Sequence, residues 1–323
     1  MKITVILCTY NRCDNLARAL ESVASSIVPE DLDWEVLVVD NNSTDQTRQI
    51  AEDFCRRYPG RFRYLFEAQQ GKSNALNAGI RASRADVLAF MDDDVIVDPT
   101  WLVNLTKPLL NGDWAGAGGR ILSQEIIEAP PWLAIDGPYS LGGMLALFDL
   151  GDTPGKLDQP PFGTNMAFKK AIFDKYGNFR TDMGPCPGSE IRNEDTEFGR
   201  RIMATGERLW YEPNAVVYHA VPKNRLTKDY LLRFWFDHGR AEVRESVRRS
   251  DIWIIPRWIL TIPKIALTVL AVRTFHWLFA LDPKRRFFYK GFVWATIGQM
   301  VELRRRGSAT RNLQTPVKLA RAE

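Results

Sequence analysis

Asp86-Val87-Leu88-Ala89-Phe90-Met91-Asp92-Asp93-Asp94 is the stretch on which the reading of this chain turns. Asp86 to Met91 has the length and apolar character of a strand, and three carboxylates in a row follow it. Neighbouring negative charges repel, so such a triplet at a strand end calls for a counter-charge. A hard divalent cation with oxygen ligands is the natural one, and a cation held there would in turn hold a diphosphate. A solvated acidic turn is the plain alternative, and the triplet taken alone favours it. Its neighbours have to decide.

Upstream, strand and helix signals alternate. Ile3 to Cys8 reads as a buried strand, Thr9-Tyr10-Asn11-Arg12 as the loop after it, and Leu16, Leu20 and Val23 fall at helical spacing. Trp34 to Val39 is a second strand, ending at Asp40 and the loop Asn41-Asn42-Ser43-Thr44-Asp45, which offers N-caps to a helix carrying Ile50 and Phe54. Phe62 to Phe66 is a third, and Gly71 to Gly79 opens the next helix. This alternation predicts a parallel sheet with helices on both faces. Ligands of such sheets bind outside the carboxyl ends of the strands. The polar clusters at 9–12, 40–45 and 92–94 all lie at those ends and are expected to face one crevice.

Two glycine motifs mislead. Gly71-Lys72-Ser73 resembles the end of a P-loop, but Phe66 stands where that pattern needs glycine. Gly116-Ala117-Gly118-Gly119 lacks the spacing and the acidic partner of a dinucleotide fingerprint, and instead marks a strand approached closely by another backbone.

Composition bounds the rest. At 323 residues, 45% hydrophobic and 25% charged, the chain is an ordinary globular one with room for one large core or two smaller ones. Lys+Arg 43 against Asp+Glu 39 leaves +4, too little to argue for nucleic acid as a partner. Cys8, Cys13, Cys55 and Cys186 form no CxxC pair, which suits a reducing compartment. The apolar run Ile3 to Cys8 is too short for a signal peptide and has no cleavage site behind it, so a cytosolic chain is expected.

Residues 122 to 162 are punctuated by Pro130-Pro131, Gly137-Pro138, Gly142-Gly143, Pro154-Gly155 and Pro160-Pro161. A connection this long either borders the crevice or is a decorative insertion. Order returns with Gly163-Thr164-Asn165-Met166-Ala167-Phe168, a short strand running into a helix. Asn193-Glu194-Asp195 then opens a helix with the stripe Phe198, Ile202 and Met203. Carboxylates in a first turn are favoured by the helix dipole, which by itself accounts for Glu194 and Asp195. Glu207 to Tyr211 and Ala215 to Tyr218 read as two short strands bracketing Pro213-Asn214, the second leading to His219.

Taken in order, these motifs resemble a family 2 glycosyltransferase of the GT-A fold, over about residues 3 to 220. They are Thr9-Tyr10-Asn11-Arg12, Val38 to Asp45, Gly71 to Asn77, Met91-Asp92-Asp93-Asp94, Gly163-Thr164-Asn165, Asn193-Glu194-Asp195 and His219. The resemblance implies an α/β, Rossmann-like mixed sheet with helices on both faces, binding a nucleotide sugar. Thr9, Tyr10, Asn11, Arg12, Asp40, Asn42, Lys72, Asn77, Asp92 and Asp93 would form the donor site. In it Tyr10 stacks on the base, Asp40 accepts from a base N–H, and Arg12 and Lys72 lie near the phosphates. Asp92 would also reach the ribose, and Asp94 with Asp92 and His219 would hold the cation, Mn²⁺ or Mg²⁺. Gly163, Thr164 and Asn165 would lie on the acceptor side. Glu194 and Asp195 match the acidic pair there, with Asp195 the base. Which two of the three aspartates face the ligand stays open.

The chemistry fits these residue types. Breaking a sugar–diphosphate bond builds charge on the leaving nucleotide, which a cation held by carboxylates absorbs. An acceptor hydroxyl has a high pKa, so a carboxylate must take its proton during attack. If Asp195 removes only that proton, displacement is direct and the anomeric centre inverts. A nucleotidyltransferase would need a Gly-rich loop where Thr9-Tyr10-Asn11-Arg12 stands. A non-catalytic nucleotide-binding or membrane-scaffold protein retaining the fold is the competing reading.

Beyond residue 220 the composition shifts. Tyr230 to Arg248 reads as a helix, and Ile252 to Val272 is apolar but interrupted by Arg257 and Lys264 and kinked by Pro256 and Pro263. A spanning helix wants ~20 apolar residues with few charges. Trp and Phe interleaved with Lys and Arg, again at 287–306, suit amphipathic helices lying in a membrane interface. A re-entrant hairpin and a soluble helical subdomain that forms a dimer are the alternatives. The expected organisation is a catalytic domain over 1–222, with a nucleotide half 1–120 and an acceptor half 121–222. A helical membrane-interface region over 223–306 and a flexible tail over 307–323 complete it. The partners it implies are a nucleotide-sugar donor, read as a UDP-sugar, a lipid-linked or cell-surface glycan acceptor, and the cytoplasmic face of the membrane.

Overall fold

The molecule, a computed structural model, is described over residues 1–189, 191–246 and 262–313, with side chains of the last segment described over 269–306. The run Ile252 to Thr261 lies outside the described residues. Two compact units result: Met1–Ala129 with Leu141–Arg225, and Pro130–Ser140 with Leu226–Glu323.

β1 (Lys2–Thr9) is nearly unbroken apolar sequence, so it can be buried on both faces, and it takes a central place in the sheet of the first unit. β2 (Asp33–Asp40) and β4 (Val87–Asp92) flank it in parallel, and β3 (Phe62–Phe66) adds to β2. α1 (Cys13–Ala24), α2 (Thr47–Arg57) and α3 (Lys72–Ala82) connect these strands. In this half the sheet is parallel, as the alternation predicts.

The other half is mixed. β8 (Asn165–Lys169) lies antiparallel between β4 and β6 (Gly116–Ser123), and β6 runs parallel to β9 (Leu209–His219). The sheet order is β3-β2-β1-β4-β8-β6-β9-β5, with β7 (Gly155–Lys156) also on β9. β5 (Val95–Val97) is three residues long, too short for a periodicity to reveal. It follows β4 directly, yet it pairs with β9, Val95 opposite His219. The aspartate triplet therefore carries the chain across the sheet, and this crossing brings Asp94 to His219.

β9 corrects the expectation of two strands. It is one strand whose pairing with β6 shifts register, from Gly119 opposite Glu212 to Arg120 opposite Val216. Pro213 has no N–H for the ladder, so the chain bulges there and resumes. Gly119 admits the Ala215 carbonyl of the bulge, because any Cβ at that position would collide with it. Asn165, wholly buried, closes the gap: its Nδ2 donates to Ala215 O at 2.7 Å and Arg120 O at 2.9 Å, while Oδ1 accepts from Trp101 Nε1 at 2.8 Å.

α4 (Trp101–Asn111) supplies Trp101, and α5 (Lys170–Tyr176) and α6 (Glu194–Met203) complete the unit. Phe173 of α5 stacks on Phe198 of α6 at 4.7 Å, and both pack with Phe168 and Phe179. Deleting one such ring typically costs ~3–5 kcal/mol. This cluster fixes the helix whose first turn presents Glu194 and Asp195.

The second unit holds α7 (Lys228–Ser246), α8 (Ile262–Phe279) and α9 (Pro283–Leu313). Gly239 lets α7 lie directly on the Ala295 backbone of α9. Buried Glu302 accepts from Arg240 Nε at 3.2 Å and Arg244 Nε at 2.8 Å. Pro130–Ser140 packs with these helices, since Trp132 meets Phe287 at 4.4 Å and Tyr139 meets Phe288 at 5.6 Å. Val272, Phe275, Leu278, Phe279 and Leu281 are all more than half exposed. Among the described residues no helix is long and apolar enough to cross a membrane. α9 runs on to Leu313, through the first residues of the tail expected over 307–323, the rest of which lies outside the described residues. One glycine costs only ~1 kcal/mol, and each further turn bond of an established helix offsets it.

Candidate active site

The loops after β1 and β2 are tied to each other. Asn11 N–H donates to Ser43 Oγ at 2.9 Å, Thr44 N–H to Asn11 Oδ1 at 2.8 Å, and Cys13 N–H to Asp45 Oδ2 at 3.1 Å. Asn11 and Asn42 adopt left-handed backbone, φ 50° and 66°, which asparagine tolerates better than most residues. At the ends of the two strands sit buried Thr9 and buried Asp40. Asp40 Oδ1 accepts from Ser43 N–H and Oδ2 from Tyr64 Oη, each at 2.9 Å, which fixes the carboxylate's orientation. Tyr10, 46% exposed, stands at the rim.

The three aspartates take three environments. Asp92 Oδ1 accepts from Lys72 Nζ at 2.6 Å and Oδ2 from Thr164 Oγ1 at 2.8 Å. Burial pushes its carboxyl up, but the Lys72 ammonium wins and holds it down at about 2. Asp93 turns inward and is 8% exposed; burial, then the neighbouring Asp94 charge, push it up to about 7. Asp94 faces Arg12 Nη1 at 3.1 Å, Arg225 Nη2 at 3.7 Å and His219 Nε2 at 3.7 Å. His219 is 2% exposed, and burial lowers its pKa against the pull of Asp94, so the imidazole is neutral with a lone pair to offer. Gln124 Nε2 donates to both Asp94 O at 3.3 Å and Tyr218 O at 3.0 Å, sewing the two segments together.

Opposite stands the acidic pair. Asp195 Oδ2 accepts Gly163 N–H at 2.6 Å and Oδ1 accepts Thr196 N–H at 2.6 Å. Glu194 is buried, its Oε2 has no hydrogen-bond partner, and burial drives its carboxyl up to about 7 despite Lys72. Lys72 Nζ lies 3.7 Å from Glu194 Oε1 while bonded to Asp92, so one ammonium joins the donor-side aspartate to the acceptor-side pair.

Thr9, Tyr10, Asn11, Arg12, Asp40, Asn42, Lys72, Asp92, Asp94, Gly163, Thr164, Glu194, Asp195 and His219 thus gather around the carboxyl ends of β1, β2 and β4. Two other residues do not present their side chains there. Asn77 is buried and brackets Phe179, donating to its carbonyl at 2.9 Å and accepting its N–H at 3.0 Å. Asn165 is the strut of the β9 bulge described above. Asp93 is buried beneath the site, beside Thr9, Arg12 and Asp94. Thr164 reaches Asp92, a donor-side carboxylate, from the acceptor-side motif. Two participants are not among the site residues read from sequence. Asn41 pins the Gly71 loop by accepting Gly71 N–H at 2.7 Å, and Arg225 sits in a 3-10 turn, Lys223–Leu226. Asn41 stood inside a quoted motif; Arg225 carried no signal at all.

A mixed sheet of this order, with carboxylates at the ends of its parallel half and an acidic pair on a facing helix, defines a GT-A-like nucleotide-sugar transferase. Residues 4–177 match the model of glycosyl transferase family 2, and the chain belongs to that family. It is 28% identical over 263 residues to glycosyltransferase AglE of Haloferax volcanii, covering 80% of each chain. To the succinoglycan biosynthesis protein ExoM of Rhizobium meliloti it is 26% identical over 260 residues, 79% of this chain and 80% of that one. A glucosyl-dolichyl phosphate glucuronosyltransferase of Haloferax volcanii is 26% identical over 247 residues, 74% and 76% of the two chains. Among solved structures, a Pyrobaculum calidifontis mannosyltransferase in complex with GDP-Man and Mn²⁺ superposes with TM-score 0.56 at 19% identity, over 98% of this chain and 76% of that one. The protein is a glycosyltransferase.

The family implies a divalent cation. Among the described residues no three His, Cys, Asp or Glu side chains converge as a ligand set. Asp94 and His219 do fit, one hard oxygen donor and one neutral imidazole 3.7 Å apart. Asp92 is engaged by Lys72 and Thr164 instead. Two protein ligands suit a cation that keeps water and phosphate oxygens in its other positions.

Proposed function

We propose that the protein transfers a sugar from a nucleotide-diphosphate sugar, a UDP-sugar in our reading, to a lipid-linked or cell-surface glycan, with inversion at the anomeric carbon. The observation that carries this is the Asp92–Lys72–Glu194 bridge, which sets a donor carboxylate and an acceptor-side acid against one ammonium. Asp94 and His219 would hold the cation, which when bound offsets charge developing on the leaving diphosphate. Arg12 and Lys72 supply further positive charge on the donor side. Asp40, fixed by Ser43 and Tyr64, retains lone pairs for a base N–H. Asp195, held by Gly163 and Thr196, takes the acceptor hydroxyl's proton as the oxygen attacks.

Uracil and guanine both present such an N–H, and the mannosyltransferase of similar fold is in complex with GDP-Man. The deciding experiment is therefore a panel of UDP- and GDP-sugars, with Mn²⁺ and with chelator, read by release of nucleoside diphosphate. Cation-dependent turnover of a UDP-sugar supports the reading; turnover of GDP-sugars alone replaces the donor, and turnover unchanged by chelator removes the cation. NMR of the first-formed product reads the anomeric outcome, and retention would contradict direct displacement.

The acceptor reading draws on the relative named for a dolichyl phosphate substrate and on the second unit. Exposed Phe275, Leu278 and Phe279, with exposed Lys284, Arg285 and Arg286 nearby in sequence, suit burial of rings at a headgroup layer and attraction to anionic lipid. We place the protein on the cytoplasmic face of the membrane. Flotation with anionic vesicles tests this: replacing Phe275 and Phe279 by serine should abolish it, and equal flotation would sink the membrane reading.

A further inference from the structure

Arg225 touches both groups that would hold the cation. Its Nη1 lies 3.3 Å from His219 Nε2, and its Nη2 lies 3.7 Å from Asp94 Oδ2. A guanidinium has donors only, so Nε2 must be the acceptor and the neutral ring carries its proton on Nδ1. Nδ1 itself is buried without a partner, so no second hydrogen bond holds the ring in place. Arg225 and Gln124 join the end of β9 to the aspartate triplet, beside the backbone contact from Ala220 N–H to Asp94 O at 3.5 Å. Arg225 reaches Asp94 Oδ2 at 3.7 Å and Arg12 reaches the same oxygen at 3.1 Å, two guanidiniums on one carboxylate. Those three groups sum to one positive charge, with Asp92 and Asp93 next in line to Arg12.

We propose that Arg225 is a displaceable stand-in for the cation. Its guanidinium holds Asp94 and His219 through the lone pairs a divalent ion needs, so arginine and metal compete for them. With a divalent ion held by Asp94 and His219, the guanidinium would be free to offset charge on the diphosphate. Metal and nucleotide then bind in a coupled order, and the metal site is strong only once the diphosphate is present to receive Arg225. The inference rests on the reading of Asp94 and His219 as the cation's ligands.

The test measures Mn²⁺ binding to the full chain without nucleotide, from the electron paramagnetic resonance signal of free Mn²⁺. Arg225→Met should bind Mn²⁺ about ten-fold tighter than wild type, because a competing charge-assisted contact is gone. With Mn²⁺ saturating, the same variant should bind UDP and GDP about ten-fold more weakly. Arg225→Lys keeps the charge and should leave Mn²⁺ affinity closer to wild type than the methionine variant does. Arg225→Gln, which keeps N–H donors but is shorter and uncharged, serves if the methionine variant melts below wild type. Mn²⁺ affinity unchanged or lowered in Arg225→Met, with Asp94→Asn still abolishing it, overturns the stand-in role alone. Mn²⁺ binding in wild type that Asp94→Asn leaves intact overturns the ligand reading beneath it.

Discussion

Replacing Asn165 by alanine separates a structural strut from an acceptor contact. The residue sits in a motif whose resemblance suggests the acceptor side, yet its side chain is wholly buried and makes three hydrogen bonds, to Trp101 Nε1, Arg120 O and Ala215 O. Alanine would leave an indole N–H and two carbonyls without this partner. A buried polar group stripped of its partner costs about 1–3 kcal/mol, more for a donor with no alternative than for a carbonyl with a second lone pair. The sum is roughly 3–6 kcal/mol, a large share of the ~5–15 kcal/mol that holds a typical domain folded. The bulge at Pro213 would lose its anchor, and with it the register that delivers His219 to Asp94. Equilibrium urea unfolding reads the cost directly. A loss under ~1 kcal/mol, with acceptor affinity falling instead, would refute the strut and restore the acceptor role.

Lys72→Met should weaken nucleoside diphosphate binding at least about ten-fold by isothermal titration, since it removes a charge-assisted contact on the donor side; unchanged affinity would mean Lys72 only pairs Asp92. Glu194→Gln should change how stability depends on pH. Burial pushes the native carboxyl up to about 7, above the ordinary 4.5 that it regains in the unfolded chain, so the native state holds its proton more tightly. Stability from this group is fully present below pH ~4.5 and is lost as pH rises towards 7, up to ~3 kcal/mol at ~1.4 kcal/mol per pH unit. The glutamine variant lacks that loss, so its stability relative to wild type should improve between pH 4.5 and 8. An equal difference at both ends would show that burial does not raise this carboxyl.

The parallel half of the sheet was legible because β1, β2 and β4 are apolar on both faces, and burial on both faces leaves no other reading. β5 was not, since three residues carry no periodicity, and the bulged β9 looked like two strands because Pro213 interrupts the ladder without ending it. In the site, strand ends announced Asp40 and Asp92, but side-chain direction decided the rest. Asp93 and Asp94 are adjacent and identical in type, and only the crossing from β4 to β9 turns one inward and the other towards His219. Asn77 and Asn165 show that motif membership does not separate a ligand contact from a buried strut. Arg225 was invisible because its partners, Asp94 and His219, meet it only through the fold.

Turnover and donor affinity of Asp195→Asn, measured side by side, test the central claim most directly. An asparagine can keep one of the two N–H contacts that Asp195 now accepts from Gly163 and Thr196, so the helix stays placed. A general base typically contributes ~10²–10⁴-fold. The account predicts that sugar transfer falls by at least ~10²-fold while the nucleotide sugar and Mn²⁺ still bind within about three-fold of wild type. Full turnover by Asp195→Asn would contradict it.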